Sequence, residues 1–206
     1  MMRGLLYKES VLLKQYSRVW IFLLVFAVAF SVMSEDSSFI LSMMAMFCIM
    51  LPVSSMALDQ QADWERYASA LPVRRSQIVW SKYIMSLVCM GIGLVAGLLA
   101  MGVLRPLVFA AQAWSWQEIG RQALLTGMFG LLVLSVMMPL LFWLGPEKGR
   151  FALIGAIFVL TAPLFLFTEQ IKAWLPFLQT AGPFLVLALL LISATVSIAV
   201  YRKKEF

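Results

Sequence analysis

The sequence predicts an all-α membrane protein of six transmembrane helices, and three observations predict it. Of its 206 residues, 63% are hydrophobic and 13% charged, against about 45–50% and about 25% in a soluble domain. The mean hydropathy is +0.93, which leaves little chain for a soluble domain. The apolar residues fall in continuous runs of spanning length, not in the alternation over about 10 residues that marks a strand-built barrel.

The elements follow in order. Over 1–18, Leu5, Leu6, Leu12, Leu13 and Tyr16 recur at helical spacing among Arg3, Lys8, Lys14 and Arg18. That pattern reads as a basic amphipathic helix on the inner membrane surface or as a polar end that frays before the first span. Ala27-Val28-Ala29 imitates a cleavage motif but lies inside the apolar run, so 19–34 reads as a retained first span. Glu35-Asp36 makes a short acidic turn before the second span, 37–58, which carries Pro52 and the methionines Met43, Met44, Met46, Met50 and Met56. Proline there should kink or loosen the last turns. The methionines are packing, or an adaptable surface for greasy cargo.

The polar interval 59–82 precedes the third span, 83–104, whose Gly93 and Gly97 permit close helix approach. Trp114 and Trp116 suggest a short interfacial helix over 114–121. The fourth span is 122–144, followed by a tight polar turn at 145–150 and the fifth span, 151–168. Residues 169–182 suggest short interfacial or re-entrant helices, and 183–201 is the sixth span. Thirteen of the sixteen Lys and Arg fall on the side that holds both termini, the 59–82 segment and the turn at 145–150. Both termini are therefore expected in the cytoplasm. The same rule accounts for the net charge of +6, and no nucleic-acid partner is inferred from it.

The chemistry that composition excludes is broad. There is no histidine, and the two cysteines, Cys48 and Cys89, lie inside apolar runs, which removes zinc sites and histidine acid–base catalysis. No Asp, Glu, Lys or Arg lies well inside a span, against ion-coupled transport and intramembrane catalysis. No G-x-x-x-x-G-K-[ST] phosphate loop occurs, so no ATP hydrolysis is expected of this chain.

The 59–82 segment is where a partner would dock. Asp59 and Asp63 are placed near a helix start, where carboxylates suit the dipole. A short helix is expected over 63–71, with Trp64, Tyr67, Ala68 and Leu71 on one apolar face and Asp63, Glu65, Arg66 and Ser69 around it. Pro72 should end it, Arg74 and Arg75 follow, and Ser76 is expected to cap the next helix. Such a stub is either a docking knob for a protein or a membrane-surface elbow whose aromatics dip into headgroups.

The run D-W-E-R-Y-A-S-A-L-P-V-R-R-S-Q-I-V-W-S-K-Y, residues 63–83, resembles the permease subunits of bacterial type-2 ATP-binding-cassette exporters. The smaller peptide and antibiotic exporters look closest, including those for phenol-soluble modulins. The resemblance implies a coupling helix seated in an ATPase cleft, a role carried onto Asp63, Trp64, Glu65, Arg66, Tyr67, Leu71 and Pro72, and onto Arg74 and Arg75. It implies two ATPase copies that bind ATP and Mg, none of it held by this chain, and a second permease as homodimer or paralogue. It also implies a bacterial cytoplasmic membrane and a hydrophobic or amphipathic substrate. The alternative is a non-transport membrane module, an immunity or assembly subunit, that docks a cytoplasmic partner.

Overall fold

The computed structural model describes residues 2–15, 17–34, 38–64, 67–68, 74–108, 115–166 and 168–203. Among the described residues the secondary structure is helical, without strands. The elements are α1 (Met2–Gln15), α2 (Ser17–Ser34), α3 (Ser38–Gln61), α4 (Arg75–Val108), α5 (Trp116–Leu166) and α6 (Thr168–Lys203). Four stretches of the described residues are long and apolar enough to cross a membrane: Ser38–Gln61, Arg75–Leu104, Trp116–Gly149 and Ala181–Lys203. They contain the expected spans 37–58 (from Ser38), 83–104, 122–144 and 183–201. The expected span 19–34 falls on a shorter apolar helix, Ile21–Met33. The expected span 151–168 falls on the second arm of α5, most of whose side chains lie outside the described residues.

Several boundaries differ from the sequence reading, always because a helix continues past the apolar run. Residues 116–121 are the first turns of α5, not a separate interfacial helix; Trp114 lies outside the described residues. Residues 169–182 are helical and continuous with the last span rather than separate short helices. At 34 residues, α4 is about 51 Å long against an apolar layer of about 30 Å. Its polar start therefore extends beyond the expected span. α3 runs through Pro52 as one helix.

The turn expected at 145–150 is a single-residue break. Gly145 has φ 79° and ψ 166°, a region essentially restricted to glycine. Pro146 follows, with its φ pre-set for a first helical position, and the helix resumes at once. Gly149 then lets the second arm lie against the first: a Cβ there would stand 2.7 Å from Leu141 Cδ2.

Packing centres on α3, α4, α5 and α6. The main core joins Leu5 of α1, Val53 and Met56 of α3, Ile78, Val79, Tyr83 and Met90 of α4, Leu134, Met137, Met138 and Phe142 of α5, and Leu190, Ala194 and Tyr201 of α6. A smaller cluster of Ala27, Ile40 and Met44 fixes α2 to α3, with Ala96 and Ala100 of α4 against it. Gly97 serves this inner contact, since a Cβ on it would lie 3.2 Å from the Leu41 Cα. The G-x-x-x-G is thus used, at Gly97, for packing within the chain. Buried hydroxyls add polar contacts between helices. Tyr83 Oη is 2.7 Å from Ser193 Oγ and 2.8 Å from Ser197 Oγ, and Ser193 Oγ donates to the Ser135 carbonyl at 2.5 Å.

Gly145→Ala should destabilise the protein by about 1–3 kcal/mol through backbone strain alone, since only Gln60 Oε1 at 3.9 Å stands near the added carbon. Gly102→Ala, in a helix with open space around it, should be neutral or stabilising by up to about 1 kcal/mol. Thermal melts of both variants in one detergent check the pair; equal melting temperatures would contradict the strain.

Candidate docking site at the base of the bundle

One end of the bundle gathers segments far apart in sequence. The C-terminal turns of α3, the start of α4, the Gly145 break and the end of α6 line a common cavity of about 70 Å³, with Asp59, Gln60, Trp64, Lys82, Phe142, Gly145, Pro146 and Tyr201 in its wall. Tyr201 meets Phe142 edge-on at 5.5 Å. Arg75 Nη1 donates to the Arg202 carbonyl at 2.8 Å, tying the start of α4 to the end of α6. These are the segments that the Lys and Arg count assigned to one side of the membrane.

Against this end lies α1, held by a buried ionic cluster. Lys82 Nζ, on α4, is 2.6 Å from Glu9 Oε1 and 2.5 Å from Asp59 Oδ2, and it donates to Ser55 Oγ at 2.7 Å. Ser55 Oγ in turn donates to Glu9 Oε2 at 2.6 Å. Lys8 pairs with Asp59 from the other side. Glu9, Ser55, Asp59 and Lys82 are all buried, and Lys8 is half-buried. Two lysines face two carboxylates, so the cluster is neutral as a whole. Burial, and then the charge of Lys82, push the Lys8 ammonium below the usual lysine range, while Asp59 and Glu9 pull it back. The sequence reading placed Asp59 near a helix start, but it stands in the last turns of α3. A carboxylate is unfavourable there by the helix dipole, and the two lysines compensate for it.

The segment expected to dock a partner adjoins this cluster at Trp64. Asp63 stands at a helix start, as expected, one position before the first helical residue, Trp64. It has φ +50° and sits in the turn after α3, with its carbonyl accepting from the Tyr67 N–H at 3.3 Å. Trp64, Tyr67 and Ala68 are helical. Glu65, Arg66, Leu71 and Pro72 lie outside the described residues. The apolar face expected of Trp64, Tyr67 and Ala68 is divided. Trp64 is half-buried and packs on the main core, Ala68 is buried within it, and Tyr67 is 61% exposed. Lys8 Nζ lies 4.2 Å from the Trp64 ring centroid, a cation–π contact. The two rings, Trp64 and Tyr67, are 5.5 Å apart.

Arg74 and Arg75 are exposed, and Arg75 begins α4. Ser76 is inside the first turn and is not the cap. The Arg74 N–H donates to Gln77 Oε1 at 3.2 Å, which is one half of a capping box with Arg74 in the cap position.

Sequence reading missed Lys8, Glu9, Ser55 and Lys82 as a unit. One signal was available: Glu9 is the only acid among the first 34 residues, an oddity in a basic surface helix. Elsewhere on the bundle, α3 and α5 line a half-open groove of about 520 Å³, bordered by Met46, Met50, Leu125, Phe129, Val133 and Ile157. Its size is that of a small-molecule pocket.

Residues 4–202 match the ABC-2 family transporter protein model. The chain belongs to this family of multi-pass membrane permeases, which are generally non-catalytic subunits that work with an ATPase. No curated protein and no solved structure matches the chain.

Trp64→Ala should lower stability by about 2–3 kcal/mol, as a half-buried ring is lost from the core. Tyr67→Ala, on the exposed side, should change it by no more than about 0.5 kcal/mol. Scanning fluorimetry of the detergent-solubilised chain separates the two, and a larger loss at Tyr67 would reverse the assignment of faces.

Proposed function

We propose that this chain is the membrane-spanning subunit of an ATP-driven exporter, with the segment from Asp63 to Arg75 docking a separate ATPase. The observation that carries the reading is the gathering, at one end of the bundle, of α1, the Asp63–Arg75 segment, the Gly145 break and the end of α6, with Tyr67 exposed there. A partner reaching that end meets an exposed aromatic ring, Tyr67, on a segment whose Trp64 and Ala68 pack on the core. Exposed aromatic rings suit a protein interface.

In this reading the chain crosses the cytoplasmic membrane of a bacterium six times, with both termini inside. A second permease, identical or paralogous, completes the pathway. Two ATPase copies bind ATP and Mg, and this chain holds no cofactor. ATP-driven closure of the ATPases moves the docking segment, and α3 and α4 carry that movement into the spans. The apolar groove between α3 and α5, lined by Met46, Met50 and Phe129, fits a hydrophobic or amphipathic substrate such as a peptide, an antibiotic or a lipid-like molecule.

A mild-detergent pull-down of the tagged chain from its native membrane should bring down an ATPase with a phosphate-binding loop, in near-equal amount by mass. Tyr67→Ala and Arg66→Ala should weaken that retention without loss of membrane insertion. Recovery of the bait alone under several detergents would favour the non-transport module instead. Topology has its own check: a cysteine at Glu35 should react with an impermeant thiol reagent from outside, and one at Ser69 should not. The opposite labelling would overturn the orientation.

A further inference from the structure

We propose that Lys8, Glu9, Ser55, Asp59 and Lys82 form a charge clasp, a set of positioning residues that fixes the register of α1 against the base of α3 and α4. The clasp rests on the docking reading in one respect, that the Trp64–Ala68 segment beside it is what the ATPase moves. Its geometry stands without that reading.

Three observations carry it. First, the cluster joins three elements through one hub. Lys82 of α4 touches Glu9 of α1 and both Ser55 and Asp59 of α3. Among the described residues, Leu5 is the buried apolar side chain that α1 adds to the main core. Secondly, three buried charges and a half-buried one are a poor way to glue helices together: desolvation offsets most of the attraction, and apolar side chains of equal volume commonly hold as well or better. What an ion network supplies and an apolar contact does not is direction. Lys82 finds its partners in one register of α1, whereas an apolar face slides. Thirdly, the cluster is linked to the docking segment at one side and to a small cavity at another. Lys8 is shared between Asp59 and the Trp64 ring. Asp59 and Lys82 also line the 70 Å³ cavity, which has room for water and has polar walls. A network with water access on one flank can exchange partners without leaving a charge unsolvated. A push on Trp64 therefore reaches Lys8, then Asp59 and Lys82, and moves α1 together with α3 and α4.

The test separates register from glue. Glu9→Gln and Lys82→Met, each alone, leave the cluster with an unbalanced buried charge and should lower the melting temperature. The double variant leaves the Lys8–Asp59 pair balanced and should recover most of that loss. Spin labels are placed on cysteines at Lys14 of α1 and Val88 of α4, both exposed, in a background with Cys48 and Cys89 replaced. Pulsed electron paramagnetic resonance of the reconstituted full chain should give a narrow distance distribution for the parent. In the recovered double variant the distribution should broaden, while a control pair at Val88 and Phe184, on α4 and α6, stays narrow. A double variant that regains stability and also keeps the narrow Lys14–Val88 distribution would overturn the clasp, because the charges would then be acting only as glue. Should that double variant fail to fold, Lys8→Met with Asp59→Asn removes the other half and is read the same way. If neither pair folds, the cluster is a folding requirement and the proposal falls. No ATPase is needed for these measurements. A clasp that behaves as expected in a chain that retains no ATPase would therefore count against the docking reading alone.

Discussion

Two carboxylates and two lysines withdrawn from water at one end of the bundle set the terms for the rest of the structure. Each of Glu9, Asp59 and Lys82 is buried, and a buried ion costs several kcal/mol unless it is paired and hydrogen-bonded. Asp59 of α3 and Lys82 of α4 balance one another, and α1 sets Glu9 against Lys82 and Lys8 against Asp59. The pairing requirement fixes how far α3 and α4 extend. α3 must reach Asp59, and α4 must begin well before Lys82, so both helices outrun their apolar runs.

The upper part of the bundle is held differently. Gly97 brings α4 against Leu41 of α3, and Met44 and Ile40 fill the space beside it. These contacts are short and mostly apolar. They have no charge to protect, so they can repack when helices shift, whereas the ionic base resists sliding. The Gly145 break lies at the same end as the ionic cluster, and Pro146 closes the cavity beside Lys82. The bundle is thus held by an ion network at one end and by close apolar packing above it.

The helical residues after α3 are likewise anchored on one side and exposed on another. Trp64 and Ala68 are four residues apart and pack on the core, and Tyr67, with its ring 5.5 Å from that of Trp64, is exposed beside them. An inward tryptophan under a lysine gives the segment a stiff attachment. The tyrosine ring stays exposed beside it, and Arg75 at the start of α4 is tied to the Arg202 carbonyl.

By itself, the sequence determined the class of protein, because hydropathy and the distribution of Lys and Arg respond to the membrane residue by residue. Four of the six expected spans lie in helices long and apolar enough to cross, and the polar segment before α4 was visible as an interruption. Family membership was legible from the run at residues 63–83 for the same local reason. Other features depended on distance in sequence. Glu9, Ser55, Asp59 and Lys82 are separated by up to 73 positions, from Glu9 to Lys82, and each looks ordinary in its own neighbourhood: a surface acid, a mid-helix serine, two residues flanking spans. Only tertiary packing brings them within hydrogen-bonding distance, because the pairing energy of a buried charge exists only once its partner is buried beside it. The inward turn of Trp64 and the break at Gly145 are decided in the same way, by which neighbours the folded chain supplies.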